Sequence, residues 1–313
     1  MEAPVSHADR DAAGTVVGIN WGSTNFRAYL IGPDGALLDE FNRPSGVARL
    51  DRAGMQALID ELARHWPGHG AVYAAGMVGS NVGWQEVPYV VTPASLADIG
   101  AGAVAARIGA MALTLVPGMT CRRAFDDGPD ILRGEEIELF GFAALHPNWD
   151  GFVALPGTHT KWTRFGAGQV TDFFTSMSGE MFDRLTSAGL LASIVEGEAA
   201  LGDAFFEGVR LGSERQLGLG TLLFGARARV IRGALQRTES ASFIRGLLIG
   251  SEIADALAIH SGLAGATIPL IGSGPLCRLY AGALERLGMH SWFVDSRAAC
   301  LAGFCALHRV GLR

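Results

Sequence analysis

Two short segments set glycine among hydroxyl side chains directly after an apolar run: Trp21-Gly22-Ser23-Thr24-Asn25 and Pro156-Gly157-Thr158-His159-Thr160. A glycine at such a tip has no Cβ to hold an anion away from the backbone. Neighbouring hydroxyls and N–H groups can then donate to phosphate oxygens. A third element, Gly272-Ser273-Gly274-Pro275, lies between an apolar run and a helical pattern, a setting that suits the sugar and base of a nucleotide. Each alone is an ordinary turn in a chain with 43 glycines; the signal is their recurrence.

Phosphoryl transfer also needs a metal and a group that orients the attacking hydroxyl. Magnesium takes carboxylate and water oxygens, so an aspartate is expected at the end of the first apolar run. Position 20 is Asn20, whose amide oxygen can hold a metal-bound water but carries no charge. Asp126, Asp127, Asp130, Glu135 and Glu136 are the candidate bases. Gly134 followed by a helix-like run to Phe142 puts Glu135 and Glu136 at a helix start, where the dipole lowers a carboxyl pKa; acidic capping is the competing reading. Arg27, Arg133 and Lys161, the single lysine against 24 arginines, are candidates for gripping a substrate anion. Lys161 equally suits the charge of a phosphoryl group in transfer.

The segment Gly76 to Trp84, continuing to Glu86, Pro88 and Tyr89, suits a polyhydroxylated ligand. Its small residues allow close approach, Ser80 and Asn81 can bond hydroxyls, and Trp84 can pack on a sugar face. A packed loop around a buried tryptophan is the alternative. His159 is either a ligand group or a structural hydrogen-bond partner. No His/Cys/Asp set has zinc spacing, and there is no Gly-x-Ser-x-Gly elbow.

Such residues need rigid elements to carry them. Thr15 to Asn20, Phe26 to Ile31 and Ala36 to Phe41 are short apolar runs, the last two joined by the turn Gly32-Pro33-Asp34-Gly35. They predict an antiparallel meander whose first hairpin carries the first glycine tip. Asp51 to Trp66 has Met55, Leu58, Ile59 and Leu62 at helical spacing. Ala71 to Ala75 and Ala112 to Val116 read as strands. The meander pattern then recurs in Phe152 to Leu155, Lys161 to Phe165 and Gln169 to Phe174, with the second glycine tip in the matching place. Gly22 and Gly157 are 135 positions apart, and Gly35 answers Gly168. An internal duplication follows, with two similar α/β halves. Helices are predicted over Gly179 to Val195, Ala200 to Leu211, Thr221 to Leu235 and Ser242 to His260. After them come a strand over Ala266 to Ile271, a helix to Leu287, a strand over His290 to Val294 and a last helix over Arg297 to Val310. No Ser/Pro linker separates the halves. The repeat alone sets a tail over 1–13, one domain over 14–145 and another over 146–313.

A length of 313 residues agrees with two domains. Hydrophobic residues at 49% against 18% charged exclude a disordered chain. Mean hydropathy is +0.26, yet no stretch of about 18 residues is apolar without interruption, the segment around Ala101 to Val116 being broken by Arg107, so no transmembrane helix and no membrane partner are expected. A net charge of −6 argues against a nucleic-acid surface. Residues 1–13 lack the apolar core of a signal peptide. Cys121, Cys277, Cys300 and Cys305 show no CxxC spacing, which fits buried thiols in a reducing, cytoplasmic setting.

These segments resemble the 2-dehydro-3-deoxygalactonokinase family, within the acetate and sugar kinase, heat-shock chaperone and actin superfamily. The likeness is carried by Trp21 to Ala28, Ala75 to Trp84 with Pro88-Tyr89, Arg133-Gly134-Glu135-Glu136, Pro156 to Trp162, Ser178-Gly179-Glu180 and Gly246 to Gly250. The resemblance implies an α/β, two-domain actin-like ATPase fold (a duplicated ribonuclease H-like unit) with a central nucleotide cleft. It also implies ATP- and magnesium-dependent phosphorylation of the O6 hydroxyl of 2-dehydro-3-deoxy-D-galactonate in galactonate breakdown. Gly22, Ser23, Thr24, Asn25, Gly157, Thr158 and His159 would then hold ATP phosphates, and Gly272, Ser273 and Gly274 would lie by the adenosine. Gly76, Met77, Gly79, Ser80, Asn81, Trp84 and Arg133 would bind the sugar acid; Glu135, Lys161 and Arg27 would serve catalysis, and Asn20 the metal. The last helix would return to the first domain, and a homodimer is a candidate assembly. The family pattern has aspartate where this chain has Asn20. A kinase for the epimer 2-dehydro-3-deoxygluconate, and a non-catalytic regulator binding ATP and a sugar acid, are the alternatives.

Overall fold

A computed structural model describes residues 14–123 and 125–311; the expected tail over 1–13 lies outside the described residues. In chain order the elements are β1 (Val16–Trp21), β2 (Phe26–Ile31), β3 (Leu37–Arg43), α1 (Arg52–His65), β4 (Ala71–Gly76), β5 (Val90–Val91), α2 (Leu96–Ala101), β6 (Val104–Ile108), β7 (Met111–Leu115), β8 (Met119–Arg122), β9 (Pro129–Leu132) and α3 (Glu135–Leu145). There follow β10 (Gly151–Leu155), β11 (Thr160–Gly166), β12 (Gln169–Ser176), α4 (Ser178–Ser187), α5 (Gly189–Ala192), α6 (Asp203–Ser213), α7 (Leu219–Ile231), α8 (Arg237–Ile259), β13 (Thr267–Gly272), α9 (Gly274–Arg286), β14 (His290–Asp295) and α10 (Ser296–Gly311). No helix among the described residues is long and apolar enough to cross a membrane.

The chain divides into two compact units. Unit 1 takes residues 14–120, 131–148 and 297–311, and unit 2 takes 121–130 and 149–296. This division differs from a single boundary at 145/146, because the segment around β8 and β9 groups partly with the second half and α10 with the first.

Unit 1 holds a six-stranded sheet of order β3-β2-β1-β4-β7-β6. The first three strands form the predicted antiparallel meander, and β4 runs parallel to β1. Asp51 caps α1 by accepting from the Gly54 N–H at 2.8 Å. The helix lays Met55, Leu58, Ile59 and Leu62 into a core with Trp21, Phe26 and Phe41; this spacing is the apolar stripe read from the sequence. The helix α10 packs here because glycines make room. A Cβ on Gly18 would lie 2.2 Å from Phe304 Cδ2, and one on Gly303 2.1 Å from the Ile137 carbonyl oxygen.

Unit 2 repeats the plan with the order β12-β11-β10-β13-β14. Again a meander leads, and the fourth strand of the unit, β13, is parallel to the first. The duplication expected from the glycine spacing is present as a duplicated sheet order. On this sheet α6 and α8 cross with backbones in near contact. A Cβ on Gly208, Gly212, Gly246 or Gly250 would fall 2.2–2.3 Å from a carbonyl oxygen of the facing helix.

Some elements differ from the sequence reading. The helix expected over Gly179 to Val195 is two, α4 and α5, because Ala188 is extended, with φ −148° and ψ 159°, and Gly189 follows with φ 80°. The strand β6, the short α2 and a small sheet of order β5-β8-β9 were not anticipated.

Candidate active site

In unit 1 the parallel strands β1 and β4 end side by side, with Asn20 opposite Ala75 and Trp21 opposite Gly76. Asn20 also faces Arg27 across β2. Gly76 has φ 92°, and a Cβ there would meet the Trp21 carbonyl oxygen at 2.6 Å. The start of α3 lies against the same strand ends. A Cβ on Gly134, whose φ is 106°, would sit 3.3 Å from Gly76 Cα and 3.8 Å from Asn20 Oδ1. The fold therefore gathers Asn20, Arg27, Gly76, Arg133, Gly134 and Glu135, which span positions 20 to 135 of the chain.

The two glutamates at the start of α3 part company. The Arg133 N–H donates to Glu135 Oε2 at 3.0 Å, and Glu135 stays partly exposed. Glu136 is fully buried, accepts from the Gly134 N–H at 2.5 Å on Oε2, and has no partner on Oε1. Burial pushes its carboxyl up to about 8, and the neighbouring Glu135 charge adds to the rise. The lowered pKa expected at a helix start is thus reversed for Glu136, because desolvation of a buried charge outweighs a helix dipole.

Arg133 is held by a 2.7 Å bond from Nη2 to the Val87 carbonyl oxygen, and its guanidinium lies 4.2 Å from the centroid of the Tyr89 ring. Its Nε and Nη1 are buried and meet no acceptor. Gly79 makes room for the guanidinium itself, since a Cβ there would lie 2.9 Å from Nη1. A guanidinium with two unmet donors is a standing demand for an anion.

The rest of the Gly76 to Trp84 segment is more self-contained than expected. The Ser80 hydroxyl donates to the Met77 carbonyl oxygen at 2.7 Å and closes the turn, so its proton serves the loop; Asn81 is exposed. Trp84 does not offer an open face for a sugar. Arg52 lies 3.9 Å over its ring, and the ring packs against the unit 1 core. The first glycine tip is braced from behind: Gly46, Val47 and Ala48 donate to the carbonyls of Thr24, Gly22 and Ser23. Ser23, Thr24 and Asn25 stay exposed.

In unit 2 the second tip rests on the start of α4. The Glu180 N–H donates to the Thr158 carbonyl oxygen at 2.9 Å, and a Cβ on Gly179 would strike the Gly157 carbonyl oxygen at 2.1 Å. His159 pairs with Glu180 at 2.6 Å, and that bond holds the Glu180 carboxyl below its usual range. His159 thus has a hydrogen-bond partner within unit 2. Gly272 abuts the same tip, with a would-be Cβ 2.9 Å from the Pro156 carbonyl oxygen. Ser273 and Pro275 line a cavity of about 460 Å³ with Phe182, Glu198, Val195 and Arg245. The Arg245 guanidinium stacks on Phe182 at 3.6 Å. Phe182 and Arg245 were missed in the sequence; an arginine inside the apolar run of α8 was the available signal.

Lys161 is buried, 6% exposed, and its ammonium donates to Thr175 Oγ1 at 2.9 Å. Thr175 in turn donates its N–H and hydroxyl to Asp130, each at 2.8 Å. Asp130 is therefore engaged in holding β12. Asp126 is bound by Arg123 and the Gly128 N–H, and Asp127 by Arg122. Each of the three aspartates is thus engaged by a neighbour within unit 2, with Asp126 and Asp127 at its surface, whereas Glu135 opens α3 in unit 1 next to Gly134.

Two α/β units with the same sheet order define the actin-like ATPase fold. Component A of (R)-2-hydroxyglutaryl-CoA dehydratase from Acidaminococcus fermentans shares it, with a TM-score of 0.53 at 13% identity over 96% of this chain and 99% of that one. A model of the 2-keto-3-deoxy-galactonokinase family matches residues 20–307, and the chain belongs to that family. It is 35% identical to the "Probable 2-dehydro-3-deoxygalactonokinase" of Rhizobium meliloti (strain 1021), covering 95% of this chain and 97% of that one. The 2-dehydro-3-deoxygalactonokinase of Escherichia coli (strain K12) is 33% identical, with 92% and 95% covered. A solved structure from Sinorhizobium meliloti, of a "putative 2-dehydro-3-deoxygalactonokinase protein", superposes with a TM-score of 0.86 at 34% identity, covering 94% of this chain and 98% of that one.

Proposed function

We propose that this chain is an ATP-dependent kinase that transfers the γ-phosphoryl group to the O6 hydroxyl of 2-dehydro-3-deoxy-D-galactonate. Family membership supports the reaction. The observation that carries the acidic substrate is Arg133, a buried guanidinium with two donors unmet beside Gly79 and close in sequence to Glu135. A sugar acid brings the carboxylate that such a donor lacks, and a charge-assisted bond from arginine suits it.

In this reading Gly76 and Gly79 let the sugar acid approach and Asn81 bonds a hydroxyl, while Met77, Ser80 and Trp84 shape the loop. Glu135 orients O6 and takes its proton. As the O6–Pγ bond forms, the bond from Pγ to the bridging oxygen of the β-phosphate breaks and ADP leaves. Positioning and charge stabilisation do most of the work in such transfers, which is the role of Lys161 and Arg27. The tips Gly22 to Asn25 and Gly157 to His159 serve the phosphates. Gly272, Ser273 and Gly274, with the cavity bearing Phe182 and Arg245, serve the adenosine.

Magnesium is expected with ATP, held mainly by phosphate and water oxygens. Among the described residues no group of three or more His, Cys, Asp or Glu forms a protein cage. Asn20 fits the lesser part of accepting from a metal-bound water. Its Nδ2 donates to Cys300 Sγ at 3.9 Å, which leaves Oδ1 as the free end of the amide. When bound, the ion would neutralise the β- and γ-phosphates.

The test is ADP release by the purified chain with ATP, magnesium and either epimer of the sugar acid. The galacto epimer is expected to be turned over faster. A faster rate with the gluco epimer would reassign the substrate, and binding of both ligands without ADP release would remove the kinase reading.

A further inference from the structure

The second glycine tip sits above a polar cluster that no phosphate-binding or catalytic role has yet used. Glu252 on α8 is 2% exposed, with Tyr280 on α9, Trp162 and Thr160 on β11 and Ser178 at the start of α4 all buried around it. Trp162 Nε1 donates to Glu252 Oε1 at 2.8 Å, and the Ser178 hydroxyl donates to Glu252 Oε2. The Tyr280 hydroxyl lies 2.9 and 3.0 Å from the two carboxylate oxygens. It is also 2.9 Å from Thr160 Oγ1 and 3.1 Å from Ser178 Oγ. Thr160 Oγ1 accepts a long bond, 3.5 Å, from the Gly157 N–H.

A carboxylate is an acceptor only, and a tyrosine hydroxyl has one proton. With Glu252 as the terminal acceptor, the donor sense of the series is fixed. Gly157 N–H donates to Thr160, Thr160 to Tyr280, and Tyr280 to Glu252. Burying a carboxylate is unfavourable unless donors surround it, and here three converge. The cluster ties four elements to the second glycine tip, one of the two loops that the kinase reading sets against phosphate. Hydrogen bonds in series also polarise one another, so losing one link weakens the rest.

We propose that Tyr280 and Glu252 are positioning residues for ATP: through Thr160 and Ser178 they fix the second glycine tip and the start of α4 in the conformation that receives the phosphates. The inference rests on the kinase reading and extends it to residues that touch no substrate.

Tyr280→Phe deletes the hydroxyl and keeps the ring. Its expected effect is a rise of about five- to tenfold in the Kd for ATP with magnesium, measured calorimetrically without sugar acid, from the loss of one buried hydrogen bond. KM for ATP should rise in step, while KM for the sugar acid stays within twofold. Thr160→Val should act likewise, and Thr160→Ser, which keeps the oxygen, should stay near wild type. Gly212→Ala, a destabilising change at the α6–α8 crossing, supplies the comparison for a merely structural loss. It should lower the melting temperature and leave the Kd for ATP unchanged. Equal ATP affinity in wild type, Tyr280→Phe and Thr160→Val would overturn the inference and leave the kinase reading intact. Absence of ATP binding by the wild-type chain would overturn both.

Discussion

Replacing Arg133 by methionine should separate binding from stability. In the bound state the guanidinium would give the substrate carboxylate a charge-assisted hydrogen bond worth about 1.5–3 kcal/mol. Its loss corresponds to a fall in kcat/KM of about 10–10². The free protein should respond in the opposite sense. The variant gives up the Val87 bond, about 1 kcal/mol, and the Tyr89 ring contact, about 0.5–2 kcal/mol. It also relieves two buried donors that have no acceptor, each unfavourable by about 1–3 kcal/mol. Stability should therefore be unchanged or raised. The assay is coupled ADP detection over a range of sugar-acid concentration, with a calorimetric melt of the same preparation. Free guanidinium should restore part of the activity to Arg133→Ala. A kcat/KM within threefold of wild type, with a melting temperature lowered by several degrees, would make Arg133 a structural residue and refute the reasoning.

Glu135→Gln should lower kcat by about 10²–10⁴, the range for a lost general base, with the KM for ATP within twofold; an unaltered rate in the same steady-state assay would remove Glu135 from the proton transfer. Glu136 binds its proton more tightly folded, at about 8, than unfolded, near the ordinary value of 4.5. The folded state then holds the extra proton between those values, so stability falls as pH rises from about 5 to 8. Melting curves of Glu136→Gln should flatten that fall and gain most on wild type at pH 8. Gly246→Ala places a Cβ 2.2 Å from the Phe205 carbonyl oxygen. Overpacking of about 1–3 kcal/mol or more should exceed the gain of about 1 kcal/mol in helix propensity, which urea unfolding at constant m-value would register as a lower midpoint.

Much of the scaffold was legible because its signals are local. The meanders announce themselves by short apolar runs and by turns such as Gly32 to Gly35, and the repeat by the interval from Gly22 to Gly157. The start of α3 was readable from Gly134. Short strands such as β5 and β9 carry too few residues for a period to show. The break between α4 and α5 hides in a pattern that stays apolar through Gly189. For the site, residue types pointed to the glycine tips and to Arg133, but partners decide roles. Trp84 looked like a sugar platform until Arg52 was found over it. Asp126, Asp127 and Asp130 read as bases by residue type, and only the fold shows their arginine and threonine partners. Glu136 followed burial instead of the helix dipole. Tyr280 and Glu252 carry no sequence signal as a pair, because only the crossing of α8, α9 and β11 brings them together.

Phosphorus NMR of the product offers the most direct test of the central claim. After incubation of the chain with ATP, magnesium and 2-dehydro-3-deoxy-D-galactonate, a single phosphomonoester coupled to the C6 protons is predicted, formed in step with ADP. Inorganic phosphate alone, or an ester at another carbon, would contradict the account.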